Sequence, residues 1–198
     1  GLTAYFGLTD VLEFKKGQSI VISGAAGAVG NIVTQYARYL GASKIICIAG
    51  SDDKCEWLKK LGADEAINYK NSDFEQKLLK ATEGEVDCYF DNVGGPILDL
   101  MLTRVKKHGI VACCGAISSY NDPENTKLTN WFQVIANRLQ LKGFIVLDYL
   151  HKAGEAFGAL SKAIQEGHLK LEDAETVVEC EFEQIPETWQ RLFKGHNQ

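Results

Sequence analysis

An apolar run that turns through three closely spaced glycines into a helical pattern constrains this chain more than any other stretch. Residues 19–30 read Ser-Ile-Val-Ile-Ser-Gly-Ala-Ala-Gly-Ala-Val-Gly, and a helical pattern follows over residues 31–40. Strand, glycine turn and helix in that order form the context of a dinucleotide-binding fingerprint. Gly24 would supply the tight turn, Gly27 a close backbone approach to a pyrophosphate, and Gly30 close packing of helix on strand. The N–H groups and positive dipole end of the helix, at Ala28, Val29, Gly30 and Asn31, would then hold the phosphates. The spacing is G-x-x-G-x-x-G rather than G-x-G-x-x-G, so a Gly/Ala turn that only packs tightly stays open as the alternative.

The 198 residues suffice for one full core, and 45% hydrophobic with 24% charged residues is ordinary for a globular chain. A net charge of −5 and the lack of a basic stripe argue against nucleic acid as a partner. No apolar run approaches the roughly 20 residues of a membrane span, and no leader pattern is visible, which favours the cytoplasm. Six cysteines are present, but Cys47, Cys88, Cys113 and Cys114 lie in strand-like runs and Cys55 in a helical one. Without a C-x-x-C pair or a close Cys/His cluster, buried free thiols are expected rather than disulfides or zinc.

Along the chain, an opening helix is expected over residues 2–14 and strands over 19–23, 44–49, 66–69, 86–90, 109–115 and 141–147. Helices fill the intervals. Ile32, Val33, Tyr36, Ala37 and Leu40 share one helical face, as do Phe74, Leu78 and Leu79. Ile97, Leu98, Met101, Leu102 and Val105 should face the sheet. A long polar loop covers residues 116–127, a helix is expected over 128–138, and Ala153, Phe157, Leu160 and Ile164 mark another. An edge strand over 176–181 and a short helix over 186–193 close the pattern. Strands apolar on both faces and alternating with helices predict an α/β fold, a doubly wound parallel six-stranded sheet of order 3-2-1-4-5-6. A ligand belongs at the carboxyl ends of the strands, where strands one and four diverge.

At the end of the second strand, an NAD-preferring fold would place an acid on the ribose 2′-hydroxyl. Gly50 and Ser51 stand there instead, with Lys54 nearby, so a 2′-phosphate would meet a hydroxyl, a helix start and an ammonium. Asp52 and Asp53 are the objection if they point inward, and Lys54 could equally be a solvated surface lysine. Asn92, ending the fourth strand, could bind a ribose or amide, or be a simple turn asparagine. Tyr120, on the long loop, could donate to a developing oxyanion or be a plain exposed tyrosine.

Gly1-Leu2-Thr3-Ala4-Tyr5, the G-A-A-G-A-V-G turn, Gly50-Ser51-Asp52-Asp53-Lys54, Asn68-Tyr69-Lys70, Asp91-Asn92-Val93-Gly94-Gly95 and residues 114–120 occur in one order. Together they resemble the zinc-independent medium-chain reductases that include prostaglandin reductases, leukotriene hydroxydehydrogenases and NADPH-dependent alkenal reductases. The resemblance implies NADPH-dependent reduction of the C=C bond of an α,β-unsaturated ketone or aldehyde. It implies that Gly27, Ala28, Val29, Gly30 and Asn31 cradle the pyrophosphate, and that Lys54 with Tyr69 surround the adenosine phosphate, where the end of the second strand also puts Ser51. Around the nicotinamide it places Asn92, Cys114, Gly115, Ala116, Ile117, Ser118, Ser119 and Tyr120, with Phe144, Ile145 and Val146. Asn197 matches a late cofactor contact. Tyr120 would steady the enolate.

Members of that family carry a GroES-like catalytic domain ahead of this segment and a closing strand after it. The whole of residues 1–198 is therefore expected to be the NADP(H)-binding Rossmann domain of a longer protein, weak in cofactor affinity and turnover by itself. The resemblance also suggests a homodimer through the cofactor domain, by pairing of the sixth strands. Two other readings stay open: a quinone reductase of the same superfamily, and a non-catalytic NADPH-binding redox sensor. A short-chain dehydrogenase would need Y-x-x-x-K, and no tyrosine here has lysine four residues on.

Overall fold

A computed structural model describes residues 1–120, 123–171 and 178–190. Strands β1 (Ser19–Ile22), β2 (Lys44–Ala49), β3 (Glu65–Asn68), β4 (Val86–Asp91), β5 (Val105–Cys113) and β6 (Gln140–Gly143) form one sheet. Their order is β3-β2-β1-β4-β5-β6, and every pairing is parallel, as the alternation of strands and helices predicts.

Side chains alternate across each strand, and the core divides accordingly. Ile20, Ile22, Ile45 and Cys47 face one layer, with Val33 and Ala37 of α2 (Ala28–Tyr39) and Leu58 of α3 (Asp52–Lys60). Val21, Ile46, Ile48 and Tyr89 face the other, against Leu78 of α4 (Phe74–Ala81) and Met101 of α5 (Gly95–Met101). Burial on both faces is why these strands read as unbroken apolar runs.

The first helix is shorter than its pattern. α1 (Leu2–Phe6) passes into a π-helical turn over Gly7–Val11. There the Gly7 Cα faces the Phe90 ring so closely that a Cβ would stand 2.3 Å from it. The helix expected over residues 128–138 contracts to α6 (Phe132–Ala136). Asp99 of α5 accounts for this, because its carboxylate accepts from Thr129 Oγ1 (2.6 Å) and the Asn130 N–H (2.7 Å), fixing that segment outside a helix.

The sixth strand also ends early. β5 stops at Cys113: the Cys114 N–H makes the last ladder bond to the Asp91 carbonyl (2.8 Å), and the Gly115 N–H then turns back to the same oxygen (3.2 Å). The last β6 partner is therefore Gly143. Phe144 leaves the strand line and packs edge-on against Phe90 and Tyr149. A 3-10 helix then takes Val146–Lys152, where residues 144–147 were expected to be strand.

Three apolar faces also differ from the sequence pattern. In α7 (Ala153–Gln165), Ala156, Leu160 and Ala163 are buried while Phe157 and Ile164 are exposed. In α4, Leu78 is buried and Leu79 is not. Val105 belongs to β5 rather than to α5. Residues 178–181 carry no strand and α8 spans Ile185–Gln190; the rest of the strand expected over 176–181 and of the helix expected over 186–193 lies outside the described residues. Cys47, Cys55 and Cys88 are buried free thiols, Cys113 and Cys114 are half-buried, and Cys180 is exposed. No helix among the described residues is long and apolar enough to cross a membrane.

Asp87 ties the start of β1 to β4. Its Oδ2 accepts from the Ser19 N–H and hydroxyl, both at 2.8 Å, and its Oδ1 meets the Lys106 ammonium. Burial alone would raise this carboxyl, but Lys106 and Ser19 outweigh it and hold it below its usual range. The stabilisation is thus present above the unfolded value of about 3.9 and is lost as pH falls through the lower folded value. Asp87→Asn should cost about 1–2 kcal/mol at pH 7 in urea unfolding. The gap should narrow below about pH 4; an equal gap at both pH values would contradict this role.

Candidate functional site

The glycine turn is built as its spacing requires. Gly24 has φ +57°, a left-handed turn that favours glycine. Gly30 has no room for a side chain: a Cβ would lie 2.5 Å from both the Ala25 Cα and the Gly24 carbonyl oxygen. Helix α2 can therefore begin hard against the end of β1. Gly27 is its extended N-cap, and no side chain caps that end. Asn31 lies behind this turn, buried, with Nδ2 donating to the Gly27 carbonyl at 2.9 Å. Its Oδ1 is buried without a hydrogen-bond partner.

Beside the turn, one buried carboxylate oxygen organises the end of β4. Asp91 Oδ1 accepts from the Ser23 hydroxyl (3.0 Å), the Tyr89 hydroxyl (2.7 Å) and the N–H groups of Val93 (3.1 Å) and Gly94 (3.0 Å). Burial, then the Asp91 charge, push the Tyr89 phenol far above its ordinary value, so it stays a donor. Asn92 is held in turn by β1, its N–H on Ser23 Oγ (3.1 Å) and its Nδ2 on the Ser23 carbonyl (2.8 Å).

A cavity of about 920 Å³ opens where β1 and β4 diverge. Of the residues singled out from the sequence, Gly27, Ala28, Val29, Gly30, Lys54, Tyr69, Asn92, Ile117 and Ser118 line it. Ser51 does not. It caps α3 from behind, its Oγ accepting the Lys54 N–H at 3.3 Å. Tyr69 lies across Gly50, where a Cβ would stand 3.2 Å from the ring.

Burial, and then the neighbouring Lys70 ammonium, lower the Lys54 pKa. Two cations converging at a partly buried place form a site that an anion would relieve. Neither Asp52 nor Asp53 lines this cavity.

The loop after β5 folds back on Asn92. Ser118 donates through Oγ (2.7 Å) and N–H (3.1 Å) to the Val93 carbonyl. The Ser119 N–H donates to the Ala116 carbonyl at 2.9 Å. Tyr120 is 62% exposed, and its hydroxyl accepts the Ala116 N–H at 3.3 Å. A Cβ on Gly115 would stand 3.0 Å from the Asn92 carbonyl oxygen and 3.4 Å from the Tyr120 hydroxyl, so both groups gather at these strand ends. Burial and then Asp91 push the Cys113 and Cys114 thiols up to about 11, which leaves them protonated at neutral pH. Phe144, Ile145 and Val146 lie outside the cavity lining, with Phe144 turned into the core. Asn197 falls outside the described residues.

Sequence reasoning missed a whole wall of the cavity. Lys70, Phe74, Glu75, Ile97, Asp99, Leu100 and Asn130 line it as well. One signal was available: α5 carries Ile97, Leu98, Leu100 and Met101, more apolar residues than one sheet-facing stripe needs.

A family profile described as "Zinc-binding dehydrogenase" matches residues 28–165. All of this chain aligns with prostaglandin reductase 1 of Bos taurus, at 42% identity and covering 60% of that protein. It aligns likewise with the 2-alkenal reductase (NADP(+)-dependent) of Nicotiana tabacum, at 38% identity and covering 57% of it. Among solved structures, CurA in complex with NADPH from Vibrio vulnificus superposes on 100% of this chain with a TM-score of 0.87. Identity there is 32%, over 59% of that chain. The chain belongs to the zinc-binding dehydrogenase family and groups with its prostaglandin and alkenal reductases. It spans less than two thirds of the length of these relatives.

Asp91→Ala should leave buried donors on Tyr89 and Ser23 without their acceptor and cost about 3 kcal/mol in urea unfolding. Asp91→Asn, which keeps an acceptor oxygen, should cost clearly less. Equal losses would show that volume rather than hydrogen bonding matters at this position.

Proposed function

We propose that this chain is the NADP(H)-binding domain of a cytoplasmic oxidoreductase that reduces the C=C bond of α,β-unsaturated ketones and aldehydes. The observation that carries the reading is the cavity at the β1–β4 divergence, with the glycine turn at one side and Lys54, Lys70 and Tyr69 at another. Its residues fit the cofactor. The uncapped start of α2 offers N–H groups to a pyrophosphate. The lysine pair suits a 2′-phosphate. Phe74, Ile97 and Leu100 offer an apolar wall for an adenine.

When bound, NADPH supplies a hydride, and the chemistry proposed here calls on no metal. The chain's own residues do the remaining work. Asn92 and the loop of residues 114–120 shape the nicotinamide end, and the protonated thiols there do not compete as nucleophiles. Tyr120 donates its hydroxyl proton in a hydrogen bond to the oxygen on which enolate charge develops. Its oxygen can keep accepting the Ala116 N–H while its own proton is donated. A homodimer through the cofactor domains belongs to the same reading, supported by the edge position of β6, one of the two outer strands of the sheet.

The test is steady-state NADPH oxidation by the full-length protein against alkenals, enones and quinones. Turnover with enones or alkenals supports the reading. Preference for quinones would redirect it to a quinone reductase, and binding without turnover to a redox sensor. Lys54→Ala should raise the KM for NADPH roughly tenfold and leave NADH nearly unchanged. Tyr120→Phe should lower kcat at least about tenfold with little change in cofactor KM.

A further inference from the structure

Helix α3 faces conflicting demands. Acids in its first turn, Asp52 and Asp53, suit the positive end of the helix dipole. Yet the same helix start faces the place assigned to a 2′-phosphate, where a carboxylate would repel the ligand. The structure shows where Asp52 goes. Its Oδ1 accepts from Asn68 Nδ2 at 2.9 Å and from Asn71 Nδ2 at 3.2 Å. These amides also brace one another, Asn68 Nδ2 donating to Asn71 Oδ1 at 3.3 Å. They favour the charged carboxylate and lower its pKa, with a smaller contribution from Lys77.

Asp52, Asn68 and Asn71 share a second, polar cavity with Lys59, Lys77 and Lys80, and none of the six lines the main one. Tyr69 and Lys70, between the two asparagines in sequence, line the main cavity instead. One four-residue turn thus presents a cation and a phenol to one side and clamps a carboxylate on the other.

We infer that Asn68 and Asn71 are positioning residues for cofactor selectivity, holding the Asp52 carboxylate out of the phosphate site so that it adds no further negative charge beside Lys54 and Lys70, in a cavity that already holds the Glu75 carboxylate. The inference rests on the NADP(H) reading above and adds to it the device that makes an acid at this helix start compatible with that cofactor. Freed from both amides, Asp52 can swing toward the cavity. There its charge opposes a phosphate dianion strongly and the 2′-hydroxyl of NADH hardly at all.

The test measures Kd for NADPH and for NADH by fluorescence titration of the full-length protein. Three forms are compared: wild type, Asn68→Ala/Asn71→Ala, and that pair combined with Asp52→Asn. The pair should weaken NADPH roughly tenfold while NADH stays within about twofold, and Asp52→Asn should restore NADPH to within about twofold of wild type.

Asn68 Oδ1 also accepts the Lys70 N–H at 3.0 Å, so a displaced turn is the competing explanation. In that case Asp52→Asn would not rescue, and the inference would be overturned. An unchanged NADPH-to-NADH ratio, or equal weakening of both cofactors, would overturn it as well. If the pair does not fold, Asn71→Ala alone keeps the bonds of Asn68 to Asp52 and to the Lys70 N–H and should show a smaller drop with the same rescue. A wild type without preference for NADPH would remove the cofactor reading itself; a preference that ignores the asparagines removes only the clamp.

Discussion

Four donors converge on a single buried oxygen, Asp91 Oδ1, and the site depends on that convergence. Ser23 comes from the residue after β1, Tyr89 from β4, and the N–H groups of Val93 and Gly94 from the turn that follows. A buried carboxylate is costly unless its lone pairs are filled. Here the donors to Oδ1 come from the residue after β1, from β4 and from the turn after it, so one oxygen ties together the two strand ends beside which the cavity opens. The main-chain carbonyl of the same residue takes the N–H groups of Cys114 and Gly115, so it also ends β5 and, through register, β6.

The second constraint is steric. Gly30 against Gly24 and Ala25 lets α2 start where a side chain would have pushed it off the strand. With the helix start fixed on one side and the Asp91 turn on the other, the chain leaves the paired ends of β1 and β4 toward opposite layers and the cavity opens there. The turn after β3 then sorts the charges at the start of α3. Lys70 joins Lys54 on the cavity side, while Asp52 is drawn to the other side of the same turn.

The sheet was legible because burial on two faces writes long apolar runs, and the glycines were legible because few other residues satisfy their backbone. The positions of Gly27, Lys54 and Asn92 at the cavity followed from the glycine turn and the strand ends, that of Tyr69 only from the resemblance to the reductases. What escaped has a physical pattern. β6 ends with its partner, not with its own apolar residues, and α6 is shortened by a carboxylate 31 residues earlier that takes the Asn130 N–H. Phe157 and Ile164 sit at helical spacing with Leu160, yet the buried stripe runs through the alanines beside them. The cavity wall at Phe74, Ile97 and Leu100 was hidden because apolar residues facing a ligand read the same as those facing a sheet.

The most direct measurement is a crystal structure of the full-length protein with NADP+. The account predicts the pyrophosphate over the N–H groups at residues 27–30, the 2′-phosphate between Lys54 and Lys70 beside Tyr69, and Asp52 still on Asn68 and Asn71. A cofactor bound away from the Gly24–Gly30 turn, or a 2′-phosphate remote from both lysines, would contradict it.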